Sequence, residues 1–292
     1  MRSRRVHSRW LVGVAIVVGV AVVACAPPVS TPSARPIPAP GTPGVRDPLE
    51  APWVMVRGAG SFAHRLRFES TLVSRVDTVE RVDSSAATLS VSWSRLAGSD
   101  PARLSGLVTE YRVSAGAVEP QALAGLLLPI PLVAAEGWSG TQARLEVPAS
   151  GACGLVASVT SLLRELLVSP PTRLVGGSSW SDSASYEICR DSIPLRVRSV
   201  RRFVVVGAER RGAEVLVLVD RTSSVSIAGG GMQFGEPLTI TAAGTGTMRL
   251  EMRPAGAVVV LARGESELTM TMRGRRRTQE LRQHTRIEIT SP

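Results

Sequence analysis

The chain contains no lysine and no asparagine, and it is poor in aromatic residues, histidine and cysteine. Aromatic residues make up 4% of its 292 positions, with three histidines and three cysteines. All 34 basic residues are therefore arginine, a bias that GC-rich coding produces without selection on charge. No His-x-x-x-His or Cys-x-x-Cys spacing occurs, so the sequence does not predict a zinc site. The scarcity of interleaved aromatics argues against a nucleic-acid partner.

Sequence motifs that carry common catalytic chemistry are also missing. There is no Gly-x-Ser-x-Gly elbow for a serine nucleophile. The triple glycine Gly229–Gly231, followed by Gly235, has neither the spacing of a phosphate-binding loop nor a helical pattern after it. We therefore predict no catalytic residue, no metal and no cofactor, and we expect the protein not to be an enzyme.

What the chain does have is enough apolar material for a sizeable core. Hydrophobic residues make up 44% and charged residues 20% of the sequence, which excludes a disordered chain. The formal charge is +10, but the first 24 residues hold four arginines and no acid, so without them the balance is 30 against 24, or +6. This moderate charge is compatible with an anionic envelope surface, but we interpret most of these arginines as residues of solvated strand faces.

The N-terminus has the pattern of an export signal. Arg2, Arg4, Arg5 and Arg9 precede an uncharged apolar run from Trp10 to Ala24, and Cys25 follows. The run is shorter than the roughly 20 residues that span a bilayer, which favours a cleaved signal peptide over residues 1–24. Val22-Val23-Ala24-Cys25 resembles the bacterial lipobox, and this resemblance implies a lipoprotein with acyl chains on Cys25. Residue 26 is not acidic, which favours the outer membrane in a diderm cell, on its periplasmic or surface face, and otherwise the outer face of the plasma membrane.

Residues 25–52 are rich in proline and small residues, and we interpret them as the lipidated cysteine and a semi-rigid tether. A proline-rich recognition ligand is the alternative for this stretch. Beyond it, residues 53–292 form the predicted globular body.

Period-2 alternation of apolar and polar residues runs through this body. Phe62, Leu66, Phe68 and Leu72 share one face, for example, while Arg65 and Arg67 share the other. We predict a mainly antiparallel β fold, as a large curved sheet, a half-barrel or two packed sheets. Further strands are expected at 103–113, 194–206, 213–220, 222–228, 237–243, 246–253, 256–263, 264–273 and 278–290.

Two strand-rich halves, about 53–147 and 174–292, flank one helical pattern. Leucines and valines recur at helical spacing up to Pro170, which predicts an amphipathic helix at about 153–168. Cys153 and Cys189 remain after lipidation of Cys25, and in an oxidising compartment we expect them to form a structural disulfide.

Candidate contact residues fall into two groups. His64 lies on the apolar face of its predicted strand, and Leu128 and Ile130 belong to the apolar run 126–133, which Pro129 and Pro131 interrupt. That run is predicted to be a buried crossover or, alternatively, a flap over an apolar cavity, because the prolines exclude a helix or central strand. A second group could contact an anionic partner or remain a solvated turn: Arg273, Arg275, Arg276 and Arg277.

Gly177-Ser178-Ser179-Trp180-Ser181-Asp182 resembles the Gly-x-x-Trp-x-Asp segment of uncharacterised secreted β-rich lipoproteins of high-GC bacteria, which implies no particular activity. From the residues themselves, Trp180 is expected in the core and Asp182 in a turn. We expect a lipid-anchored envelope protein that acts as a non-catalytic interaction or structural module, with another envelope protein or lipid as partner. The alternative is a carrier or receptor for an acyl-chain ligand, because the general plan resembles lipoprotein-carrier families with an open half-barrel.

Overall fold

The computed structural model describes residues 52–76, 79–96, 103–115, 121–122, 130–135, 140–141, 144–146, 155–190, 193–233, 235–275 and 277–292, and within them the chain forms fifteen strands and one helix. The strands are β1 (Trp53–Val54), β2 (Gly60–Val76), β3 (Val79–Arg95), β4 (Arg103–Ala115), β5 (Gln121–Ala122), β6 (Ile130–Ala135), β7 (Gly140–Thr141), β8 (Arg144–Glu146), β9 (Arg173–Leu174), β10 (Ser179–Arg190), β11 (Ile193–Arg211), β12 (Glu214–Gln233), β13 (Glu236–Arg253), β14 (Val258–Gly274) and β15 (Thr278–Thr290). The helix α1 is Leu155–Leu166.

Nine long strands form one curved antiparallel sheet with the shape of a half-barrel. Their order is β10-β11-β12-β13-β14-β15-β2-β3-β4, and every neighbouring pair is antiparallel. The last strand, β15, pairs with β2 from Glu280↔Arg75 to Thr290↔Arg65. This pairing joins the two predicted strand-rich halves into a single sheet. The predicted antiparallel β class with a curved sheet is confirmed.

Burial follows the predicted period of two along the long strands. In β11, Ile193, Leu195 and Val197 are buried, whereas Pro194 and Arg196 between them are exposed. Successive side chains of a strand point to opposite faces, so one face of the sheet is the inner face and the other is solvated. Helix α1 matches the predicted helical segment, and its buried residues pack in the core of the inner face: Val159, Leu162, Leu163 and Leu166.

Three predicted strand breaks are wrong, because the residues concerned lie inside long strands. The breaks at 221, 244–245 and 263–264 fall within β12, β13 and β14. A Cβ at Gly244 would lie 2.5 Å from the carbonyl oxygen of Glu267 on β14 and 2.9 Å from Leu268 Cδ1. Glycine occurs there because the neighbouring strand approaches too closely for a side chain, not because the chain turns.

Apolar side chains of the inner face form two clusters toward opposite ends of the strands. The first cluster includes the helix residues above with Leu66, Phe68, Leu89, Trp93, Phe203, Val217, Val219, Met248, Leu250 and Ile287. The second consists of Leu72, Ile188, Ile193, Leu195, Val197, Ile227, Ile240, Ala242, Met270 and Leu281. We call the inward-facing residues between them the polar belt: Ser70, Asp182, Ser199, Arg201, Arg221, Ser223, Gly244, Gly246, Gly264, Ser266, Gln283 and Thr285.

The apolar run 126–133 is only partly described. Ile130–Ala135 forms β6, which pairs with β4, so the prediction of a crossover or a flap is wrong for the C-terminal part of the run. The short strand β8 pairs only with Val133–Ala135 of β6. Pro131 therefore has one described neighbouring strand, as at a sheet edge, where a missing backbone donor is tolerated.

Candidate ligand-binding site

Arg201 organises one end of the polar belt. Its guanidinium donates from Nε to Asp182 Oδ1 at 2.8 Å and from Nη2 to Asp182 Oδ2 at 2.6 Å. It also donates to the carbonyl oxygens of Arg164 and Leu167, at 2.9 Å each, which lie at the C-terminal end of α1. Arg201 is therefore buried in a bidentate pair with Asp182, and it also satisfies carbonyl groups at the helix end that lack intrahelical partners. The predicted turn position of Asp182 is wrong, since this residue is buried in β10.

Arg221 and Glu165 form a second ion pair beside the first. Arg221 Nη1 lies 2.7 Å from Glu165 Oε2, and the Arg221 side chain is 4% exposed. Burial lowers the pKa of Arg221, an effect that the nearby Glu165 carboxylate partly offsets. Burial alone would raise the pKa of Glu165, but Arg221 and Arg201 lower it overall, so Glu165 is ionised at neutral pH.

The charges of this region do not balance. Asp182 and Arg201 neutralise each other, which leaves Glu165 as the one inward-facing carboxylate among the described residues here, beside two guanidinium groups, Arg164 and Arg221. The Arg164 guanidinium lies 4.3 Å from the centre of the Tyr186 ring. Burial raises the pKa of Tyr186 to about 12, with Glu165 adding to the effect, so this phenol is neutral. The region carries one excess positive charge.

A recess of about 70 Å³ opens on the inner face between the two apolar clusters. Its polar wall includes Glu165, Tyr186, Ser199, Arg221, Ser223, Thr245, Ser266, Glu267, Gln283 and Thr285. Thr245 and Glu267 occupy outward positions of their strands and are exposed. Gln283 already donates to Ser70 Oγ at 2.8 Å, whereas the Nε donor of Arg221 has no hydrogen-bond partner among the described residues. A buried guanidinium donor without a partner is costly, and it favours a site that an outside group completes.

Apolar side chains continue from the recess along the second cluster. Five inward-facing residues are packed against that cluster yet only half-buried, and we call them the apolar strip: Tyr186, Val225, Leu238, Leu268 and Met272. Tyr186, Val225 and Leu268 also line the recess. The inner face thus combines a polar recess with an adjoining apolar surface that the described residues leave partly uncovered.

A larger hollow of about 780 Å³ lies among charged residues on the outer face, and several of its charged groups pair with one another. Arg263 donates to Glu288 at 2.8 Å, and Arg249 contacts Asp220 in a similar pair. These pairs are exposed, and exposed pairs contribute little energy and little selectivity. We therefore place the candidate site on the inner face.

The residues predicted from sequence as ligand contacts do not gather at this recess. His64 is buried, and its Nε2 donates to the carbonyl oxygen of Val259 at 2.8 Å, six residues along β2 from Ser70 of the belt. Ile130 pairs with Val108 at the far side of the sheet, and Leu128 lies outside the described residues. Arg273, Arg275 and Arg277 are exposed around the β14–β15 hairpin, while Arg276 falls outside the described part of the chain.

Sequence reasoning missed Glu165, Arg201 and Arg221, although a signal for the two arginines was present. In β11 the inward positions run Leu195, Val197, Ser199, Arg201, Phe203, and an arginine at an inward position requires a buried partner. Arg221 occupies an inward position of β12, opposite Phe203 of β11, where the sequence suggested a break.

Cys189 is disulfide-bonded, and its predicted partner Cys153 lies outside the described residues, as does Cys25. Within the described ranges, no three histidine, cysteine, aspartate or glutamate side chains group as metal ligands. No helix in this part of the chain combines the length and apolarity needed to cross a membrane.

Comparison with known proteins identifies no family. No family model matches the chain, and no curated protein is similar to it. Among solved structures, DynF from the dynemicin biosynthesis pathway of Micromonospora chersina is 11% identical over 88% of this chain and 92% of its own, with a TM-score of 0.23. The Pseudomonas aeruginosa protein OccK2 (OpdF), solved with glucuronate, is 6% identical over 79% of this chain and 98% of its own, with a TM-score of 0.22. Such scores support no functional argument.

Proposed function

We propose that the protein is a lipid-anchored envelope protein that carries an amphiphilic ligand on the inner face of its curved sheet. The ligand's polar end would occupy the recess, and its acyl chain would lie along the apolar strip. One observation carries this proposal: five apolar side chains beside the recess remain half-buried, whereas the residues of the second cluster against which they pack are buried. Apolar surface that a fold leaves uncovered beside a polar recess is typical of a binding site.

The size of the recess supports placing only the polar end of the ligand inside it. A volume of about 70 Å³ suits a headgroup of a few non-hydrogen atoms, since a water molecule takes up roughly 30 Å³ of liquid. A whole acyl chain is too large for it and must extend along the strip. The acyl chain would then contribute apolar burial at roughly 25 cal/mol per Å².

Native mass spectrometry of the full chain, released from detergent, tests the proposal. We expect the wild type to retain a co-purified amphiphile. Leu268→Trp should abolish this retention, because the larger side chain would fill the space beside the strip. Val204→Trp is the matched control, since Val204 is 43% exposed on the outer face of β11.

The same measurement separates the carrier from the sequence-based alternative. If the wild type carries no amphiphile and binds no acyl-chain probe, the carrier proposal fails. The tethered, non-catalytic interaction module is then the remaining interpretation. Loss of binding in Val204→Trp as well as in Leu268→Trp would also count against a site on the inner face.

The anchor has its own experiment, because the resemblance to a lipobox concerns residues outside the described ranges. Cys25→Ser should abolish incorporation of labelled palmitate and leave precursor or mislocalised protein. Labelling at the wild-type level would show that Cys25 is not the lipidated residue, whatever the inner face binds.

A further inference from the structure

We infer that the ligand's polar end is an anion, a carboxylate or a phosphate, held by Arg221 in the recess of the polar belt. This inference rests on the proposed carrier function and specifies its ligand class. It follows from three features of the belt that concern charge, hydrogen bonding and accessibility.

The first feature is the charge excess at the recess. Four of the five N–H donors of the Arg201 guanidinium are used, two in bonds to Asp182 and two in bonds to carbonyl oxygens at the C-terminal end of α1. Among the described residues of the inner face, Glu165 is the carboxylate left to balance both Arg164 and Arg221, since Glu267 faces outward. An excess guanidinium in a buried setting is expensive, and a ligand with one negative charge would restore neutrality.

The second feature is the donor set. Arg221 is buried, lines the recess, and has its Nε donor unpartnered among the described residues. Guanidinium groups bind carboxylates and phosphates through parallel N–H donors, and such charge-assisted bonds are about twice as strong as neutral ones. The hydroxyl of Ser266 lines the same recess and can donate a further bond to an anion, whereas the hydroxyl of Ser223 donates to the Gly246 carbonyl oxygen at 3.4 Å.

The third feature is that the described residues leave the site open on the side of the apolar strip. Val225 and Leu268 form the apolar wall of the recess and are themselves half-buried. A ligand with an anionic head on an acyl chain fits this arrangement, because the acyl chain would cover the apolar strip while the anionic head contacts Arg221. Glu165 opposes the anion, so its removal should strengthen binding.

The test compares cis-parinaric acid with its methyl ester, which share an acyl chain and differ in the charged head. The full chain with Cys25→Ser, which lacks the anchor's own acyl chains, is titrated in nonionic detergent below its micelle concentration. We expect the acid to bind at least tenfold more tightly than the ester above pH 7. Glu165→Gln should increase this ratio further, because it frees Arg221 and removes a repelling charge.

The combined variant Arg221→Gln/Glu165→Gln should bring the acid-to-ester ratio close to one while ester binding persists. It removes one charge of each sign, so the chain keeps its net charge. The matched control is Asp220→Asn/Arg249→Gln, which removes an exposed pair on the outer face of β12 and β13. This control should keep the wild-type ratio. If the combined variant does not fold, the Glu165→Gln variant alone still tests the inference. An acid-to-ester ratio equal to or lower than that of the wild type would overturn it.

The outcomes separate this inference from the carrier proposal. Equal binding of acid and ester by the wild type would overturn the anion site and leave the carrier standing. Binding of neither would overturn both. Competition by palmitate but not lysophosphatidate would assign a carboxylate, and the reverse would assign a phosphate. Equal competition by zwitterionic lysophosphatidylcholine would show that net negative charge is not what the site selects.

Discussion

His64 should make the fold sensitive to mild acid. Burial lowers the pKa of His64 from 6.5 to about 4, opposed in part by its hydrogen bond to Val259. The folded protein therefore keeps this imidazole neutral, while the unfolded chain takes up a proton below about pH 6.5. Because the unfolded state binds more protons between those two values, the free energy of unfolding falls as pH falls through this window.

The size of the loss follows from the two pKa values. If the His64 imidazole were fully protonated in the unfolded chain and still neutral in the folded protein, the free energy of unfolding would fall by about 3 kcal/mol, at 1.36 kcal/mol per pKa unit. By about pH 5 the loss should already be about 2 kcal/mol. Glu165, whose pKa is lowered from 4.5, adds its own loss only at still lower pH.

Urea unfolding of the wild type and of His64→Gln at about pH 7 and pH 5 measures this contribution. Glutamine can still donate to the Val259 carbonyl but does not titrate, so the variant should lose about 2 kcal/mol less than the wild type over the interval. His284→Gln is the matched control, because it removes a histidine whose side chain is 38% exposed rather than buried. Equal losses for wild type and His64→Gln would refute the assignment of a buried neutral imidazole.

Three further predictions concern stability. Arg201→Met should lower the free energy of unfolding by roughly 3 to 5 kcal/mol, because it leaves Asp182 buried without its partner, and adding Asp182→Leu should recover part of the loss in the same urea titration. Gly244→Ala should cost roughly 1 to 3 kcal/mol, because its Cβ would overlap the backbone of β14, and thermal unfolding would detect this. Free-thiol titration of the unfolded, unreduced mature protein should find essentially no thiols, because Cys153 and Cys189 would be joined, and reduction should remove about 4 kcal/mol of stability.

Each of these three stability predictions has a reference variant or a result that would contradict it. For the charge pair, a double variant less stable than Arg201→Met would contradict the account of an unpaired buried carboxylate. Gly58→Ala is the reference for Gly244→Ala, because a Cβ at Gly58 would meet no atom within 4 Å. Two reactive thiols per unfolded chain would contradict the disulfide between Cys153 and Cys189.

Where apolar and polar residues alternate strictly along a strand, the sequence predicts correctly which side chains belong to the inner face. Leu66 and Phe68 were assigned inward, and they are buried as expected. The prediction failed where the inner face itself becomes polar. At Ser199 and Arg201 an inward position looks like a solvated one, because a period-2 pattern identifies the faces only through their contrast in polarity.

Glycine misled the prediction for a related reason. A glycine within a strand pattern signals either a turn or a close approach of two backbones, and a single sequence does not distinguish them. Gly244 is of the second kind, since its neighbour β14 fills the space where a side chain would be. The candidate site escaped prediction because Glu165 reaches it from the helix and Arg221 from a strand, a meeting that only the tertiary structure brings about.

The pairing of β15 with β2 has a consequence for how the protein is made. Translation makes a chain from its N-terminus, so β2 leaves the ribosome long before its neighbour β15 does. Until Thr278–Thr290 arrives, one edge of β2 and one edge of β14 stay open, and open edges invite pairing with other chains. A chain cut short before Thr278 would keep two separate sheets with a permanent gap between β14 and β2. The last strand of the sequence is thus the one that completes the middle of the sheet.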